Sequence, residues 1–135
     1  MVQKSKYKIA FVEDSADTAG VFSLFLNQFC DDLEVRCFSN GPELLQSLQP
    51  GIYRLAILDL SLPGMDGFEL IKRMHSVDPH ITAVAFTAHV GDQYRKKAIE
   101  AGFHSIITKP IQDMDKFCRM ILDLIDRTDG ARSVA

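Results

Sequence analysis

Apolar residues follow two alternating patterns along the chain: short continuous runs, and longer stretches in which they return every three or four positions. The short runs, at 8–13, 33–38, 55–59, 81–87 and 105–108, predict strands. Between the first two, Phe22, Phe25, Leu26 and Phe29 share one helical face, with Asp14 or Ser15 available to cap its start. Gly41-Pro42 opens a shorter helix through Leu44, Leu45 and Leu48, which Pro50-Gly51 closes. Leu70, Ile71, Met74 and Val77 mark a third helix that ends before Pro79. A fourth is expected over 92–101 with Gly102 as its stop, and a fifth over 113–126.

Five strands, each followed by a helix, call for a parallel sheet covered on both faces, because strands three and four are almost wholly apolar. The expected fold is therefore an α/β, doubly wound, flavodoxin-like sheet with strand order 2-1-3-4-5 and five helices. In such a sheet the working site lies beyond the carboxyl ends of the strands, where strands one and three diverge. One domain over 1–127 is expected, with 128–135 a flexible tail or the start of a linker.

Composition agrees with one ordinary domain: 135 residues, 47% hydrophobic, 24% charged, net charge −3. A chain of this size buries roughly 68% of its unfolded surface, enough to fold without disulfides or a structural metal. Cys30, Cys37 and Cys118 are odd in number and widely spaced, and read as three reduced core thiols in a reducing compartment. No apolar run approaches a signal peptide or a membrane span, so a cytoplasmic protein without membrane contact is expected. The mildly acidic balance argues against a nucleic-acid surface, and Arg95-Lys96-Lys97 reads as a solvated helix face.

The polar residues at the strand ends agree with one another. Strand one ends in Glu13-Asp14, strand three in Asp59, strand four in Thr87, and strand five runs into Lys109-Pro110. Three carboxylates in one crevice imply a cation, since two unit charges ~4 Å apart repel by about 4 kcal/mol at an effective dielectric near 20. The donors are all oxygens, which suits Mg²⁺ better than zinc. Lys109 adds a fixed positive charge and Thr87 a hydroxyl, together able to hold the oxygens of a phosphoryl group.

These residues resemble the receiver domain of two-component response regulators. The most specific stretch is Asp59-Leu60-Ser61-Leu62-Pro63-Gly64-Met65-Asp66-Gly67, similar to the family's phosphoacceptor loop; Phe86-Thr87-Ala88-His89 and Thr108-Lys109-Pro110-Ile111 supply two further motifs. The resemblance implies a Mg²⁺-dependent phosphoacceptor at Asp59 and a phosphoryl donor that is a sensor histidine kinase or a histidine phosphotransfer protein. It makes Asp14 and Asp59 metal ligands with the backbone carbonyl of Ser61, places Glu13 on the metal through water, and gives Thr87 and Lys109 the phosphoryl oxygens. His89, two residues past Thr87, stands where the family has a rate-tuning residue. The resemblance also implies a cis Lys109-Pro110 bond and a module that catalyses only its own phosphorylation and dephosphorylation.

Two alternatives fit less well. A dehalogenase-type hydrolase would want an aspartate where Ser61 stands, and a flavin site would want a phosphate loop where Glu13-Asp14 would repel one. A phospho-independent interaction module with the same fold is the remaining rival.

Ile106 occupies the position where many receivers carry a switching aromatic, and the Thr-Ala-His and Lys-Pro-Ile wording is closer to receivers of hybrid kinases and phosphorelays. On the fifth helix, Met120, Leu122 and Leu124 widen the apolar arc to roughly 200°, more than one sheet face covers. Met120 and Leu124, with Ile106, are therefore expected to form a homodimer or partner face along helix four, strand five and helix five.

Overall fold

The computed structural model of the chain describes residues 7–89 and 91–134. The elements run β1 (Tyr7–Val12), α1 (Ala16–Phe29), β2 (Leu33–Phe38), α2 (Gly41–Ser47), β3 (Leu55–Asp59), α3 (Gly67–Val77), β4 (Thr82–Thr87), α4 (Asp92–Ala101), β5 (Ser105–Thr108) and α5 (Met114–Val134). The strands form one parallel sheet in the order β2-β1-β3-β4-β5, as the hydrophobic pattern predicts.

Local chemistry explains the helix ends. The Ser15 hydroxyl accepts from the Thr18 amide at the start of α1, and Asn40 and Asp66 do the same for Glu43 and Glu69 at the starts of α2 and α3. Gly102 ends α4 with a φ of 111°, in the left-handed region that favours glycine.

The two faces of the sheet are packed differently. Ile9, Phe11, Leu55, Ile57, Val84, Phe86 and Ile107 point toward α1 and α5, where Phe11, Phe22, Phe86 and Phe117 meet in one aromatic group. The opposite face carries Ala10, Ala56, Ala83 and Ala85 beneath α2, α3 and α4. Small strand residues let three helices settle there, whereas two helices on the first face leave volume that aromatic rings fill. From α1, Phe22 and Leu26 are buried and Phe25 is half-buried; the burial of Phe29 lies outside the described residues.

Three expectations are corrected. Leu124 is only 5% exposed, and Met120 and Leu122 are half-buried against the same cluster. α5 packs against α1 as well as the sheet, with Phe22 and Phe117 rings 4.7 Å apart, so its wide apolar arc is covered within the chain. Ile106 packs into the cluster on the opposite face, so Ile106, Met120 and Leu124 form no common surface.

The cysteines are not three reduced core thiols. Cys30, which caps α1, and Cys118 of α5 are both buried and joined as a disulfide, while Cys37 is exposed on β2. Finally, α5 does not end at 126: the Thr128 hydroxyl donates to the carbonyls of Leu124 and Ile125, and the helix runs to Val134. Among the described residues no helix is long and apolar enough to cross a membrane.

Candidate functional site

The carboxyl ends of β1, β3 and β4 converge on one spot, and backbone bonds hold them in place. Glu13 N donates to Phe38 O, Leu60 N to Phe86 O, and Lys109 N to Thr87 O, tying each strand end to its neighbour. The side chains at these ends are the polar exceptions in a buried apolar sheet: Glu13 is 4% exposed, Asp59 2% and Thr87 1%.

Lys109 is the centre of the electrostatics. Its Nζ donates to Asp59 Oδ2 at 2.9 Å and lies 3.1 Å from Glu13 Oε2, while resting 4.9 Å from the centre of the Phe86 ring. Burial alone would lower its pKa, but hydrogen bonds and charge from Asp59 and Glu13 outweigh that and hold the ammonium above its ordinary value. For Glu13 burial wins in the other direction: it raises the carboxyl pKa despite the lysine, and the nearby Asp59 charge adds to the rise.

The remaining carboxylate oxygens are partly satisfied by backbone. Asp59 Oδ1 accepts from Ser61 N at 2.9 Å, and Glu13 Oε1 from Ser15 N at 3.2 Å. Glu13 Oε2 is buried without an aligned hydrogen-bond donor. Asp14 is exposed beside them, and Glu13, Asp14 and Asp59 each offer an oxygen within 4.8 Å of the others. Three carboxylates against one ammonium leave a negative excess in an all-oxygen donor set, a fit for a hard divalent cation. Ser61 is exposed at the same rim.

Thr87 Oγ1 accepts from the His89 amide at 3.0 Å, and the exposed His89 ring lies on Tyr94, with centroids 4.9 Å apart and planes 29° from parallel. The Lys109-Pro110 peptide is cis. All the strand-end residues singled out by sequence are thus gathered here: Glu13, Asp14, Asp59, Thr87 and Lys109. Two contributors were not foreseen. Gly67 opens α3 directly against the Asp59 backbone, and Tyr94 receives the His89 ring. Only the Asp-Gly pair in the loop hinted at the first, and no spacing rule pointed to the second.

α1 stands between two open grooves that reach the site from either flank. One runs from Glu13 and Asp14 along Gly20, Leu24 and Cys37; the other passes Val21, Phe22, Ile111 and Met114 to Lys109.

Residues 9–122 match the response regulator receiver domain family. The chain is 31% identical over 109 residues to an uncharacterized 14.6 kDa protein of Leptolyngbya boryana, covering 79% of this chain and 82% of that protein. It is 28% identical over 127 residues to hybrid signal transduction histidine kinase B of Dictyostelium discoideum, covering 84% of this chain but 6% of the kinase. Its fold is similar to the crystal structure of a CheY-like response regulator receiver domain protein from Methanospirillum hungatei JF-1, with a TM-score of 0.83 at 22% identity over 94% of this chain and 99% of that one. Receiver domains are non-enzymatic signalling modules that interact with histidine kinases or phosphotransfer proteins and bind Mg²⁺ at an acidic pocket. With its strand order, its acidic strand ends and a family match over most of its length, the chain belongs to the response regulator receiver domain family.

Proposed function

We propose that this chain is a phosphorylatable switch in a two-component system or phosphorelay, and that Asp59 accepts a phosphoryl group from a phosphohistidine. The observation that carries the reading is the ion pair of Lys109 with Asp59 at 2.9 Å, which fixes a positive charge beside a buried carboxylate at the carboxyl end of β3.

An Asp59 oxygen forms a bond to phosphorus as the P–N bond breaks; the electron pair returns to the ring nitrogen, and a phosphohistidine that carries a proton on its other ring nitrogen leaves as the neutral imidazole. This transfer needs charge screening and alignment more than a base. Lys109 is poised to turn from Asp59 toward a phosphoryl oxygen, and the Thr87 hydroxyl can donate to a second while still accepting from His89. Asp14, Asp59 and the Ser61 carbonyl would hold Mg²⁺, with Glu13 acting through water. When bound, the ion neutralises phosphoryl charge. The domain turns over no separate substrate in this reading.

The partner approaches over α1. Val21 and Leu24 are 66% and 68% exposed on that helix, and each borders one of the grooves that lead to the site. Exposed apolar side chains beside a charged site suit a docking face. With Leu124 buried, the surface first expected around α5 is set aside.

The test is incubation with acetyl phosphate and Mg²⁺ followed by intact-mass measurement. Wild type gains one phosphoryl group, and Asp59→Asn and chelated samples gain none. Equal labelling of Asp59→Asn would overturn the assignment.

A further inference from the structure

α4 is lightly anchored at the end nearest the site. Ala98 is its one buried residue, and Gly91 caps it without any side-chain hydrogen bond. What holds its first turn is aromatic: Tyr94 lies under the His89 ring and meets the edge of Phe68 at 5.8 Å. Phe68 packs in turn on Phe103, and Lys97 Nζ lies 4.4 Å over its face. His89 is joined to the site at its other end, because its amide donates to the Thr87 hydroxyl. An unbroken line of contacts therefore runs from Thr87 through His89 to Tyr94 and the α3–α4 surface, on a route that does not involve Ile106.

We propose that Tyr94 is a positioning residue for His89, which couples the lifetime of the phosphoryl group on Asp59 to the position of α4. This rests on the phosphoacceptor reading of Asp59. The acyl phosphate is lost when water attacks phosphorus: an O–P bond forms, the bond from phosphorus to the Asp59 oxygen breaks, and carboxylate, inorganic phosphate and a proton result. An imidazole nitrogen free to reach that water accepts the proton and speeds the step. A ring stacked on Tyr94 is committed to α4 instead, and is not free to serve as that base. When the Thr87 hydroxyl turns to a phosphoryl oxygen it draws the His89 backbone with it, so the stack responds to the state of the site. A contact on α4 that moves Tyr94 acts on hydrolysis through the same pair.

The test follows phosphorylated full chain after removal of acetyl phosphate, with Mg²⁺ present, in wild type, Tyr94→Leu, Tyr94→Phe, His89→Ala and Tyr94→Leu/His89→Ala. Tyr94→Leu is expected to shorten the phosphoryl lifetime on the order of threefold to tenfold, the rate equivalent of one aromatic contact. Tyr94→Phe, which keeps the ring, retains the wild-type lifetime, and the double variant matches His89→Ala. In the unphosphorylated protein, the His89 ring protons lose their upfield ring-current shift in Tyr94→Leu and keep it in Tyr94→Phe. An unchanged or longer lifetime in Tyr94→Leu, or equal acceleration with and without His89, overturns the proposal. Failure of wild type to gain a phosphoryl group would instead overturn the reading of Asp59, and the ring-current comparison would still report on the stack.

Discussion

Gly67 meets the Asp59 backbone so closely that a Cβ on Gly67 would lie 2.8 Å from the Asp59 carbonyl oxygen and 2.9 Å from Leu60 Cα. The Gly67 amide also donates to Leu60 O at 3.3 Å, so the start of α3 and the end of β3 are held in direct contact. A third close atom is Leu60 Cδ2, also at 2.8 Å, which a rotation of that side chain could relieve, but the two backbone atoms have no such freedom. Gly67→Ala is therefore expected to cost about 1–3 kcal/mol of stability, the usual range for overpacking. By displacing the Asp59 carbonyl it should also lower phosphoryl labelling at subsaturating Mg²⁺. Urea unfolding and intact-mass labelling check both; wild-type values in each would mean the loop yields freely.

Lys109→Ala removes the positive charge shared by Glu13 and Asp59. Two buried carboxylates then face each other without a counter-ion, a costly arrangement at neutral pH that Mg²⁺ can relieve. The variant is expected to melt below wild type in chelator and to recover more stability than wild type on adding Mg²⁺. Its amide spectra should also respond less to beryllofluoride, since the phosphoryl mimic loses its fixed cation. Spectral shifts equal to those of wild type would remove Lys109 from the switching role.

The two raised pKa values act on stability with the same sign in different pH windows. Glu13 binds its proton more tightly folded than unfolded, so in metal-free protein its contribution falls as pH rises from the ordinary value of 4.5 through the raised one. Lys109 also holds its proton more tightly when folded. Its contribution is complete below the ordinary value of 10.5 and is lost as pH rises through the folded value. Denaturation in chelator across both windows should show each decline. Glu13→Gln should remove the first while leaving a decline above 10.5; an unaltered slope near the carboxylate range would assign that titration to another group.

Much of this architecture was legible because it is local or periodic. Strands such as Leu33–Phe38 and Leu55–Asp59 lie where the apolar runs place them, and Gly102 ends α4 as its type requires. The strand-end site was legible for the same reason: polar residues at the carboxyl ends of parallel strands have one place to go. What sequence could not show depends on which elements touch. The width of the α5 apolar arc is a correct observation, but whether Leu124 meets solvent or core depends on how α1 and α5 share the sheet. Cys30 and Cys118, 88 residues apart, meet for the same tertiary reason. Likewise His89 and Tyr94 belong to a connection and a helix whose angle no spacing rule supplies.

The last prediction concerns where the phosphoryl donor docks. On α1, Val21 and Leu24 are exposed apolar residues one turn apart, and their grooves end at Lys109 on one side and at Glu13 and Asp14 on the other. A partner seated across them would bring a phosphohistidine to Asp59 between those charges. Neither side chain belongs to the buried cluster, so Val21→Lys and Leu24→Lys should leave thermal stability within about 0.5 kcal/mol, as surface changes do. Labelling by acetyl phosphate, which needs no docking face, should also stay at the wild-type rate. Transfer from a phosphorylated histidine kinase fragment should slow on the order of tenfold or more for the pair, corresponding to about 1.4 kcal/mol or more of lost binding. If kinase-dependent and acetyl phosphate-dependent labelling both remained at wild-type rates, the partner would have to reach Asp59 across another edge of the crevice, and the exposure of Val21 and Leu24 would carry no meaning for transfer.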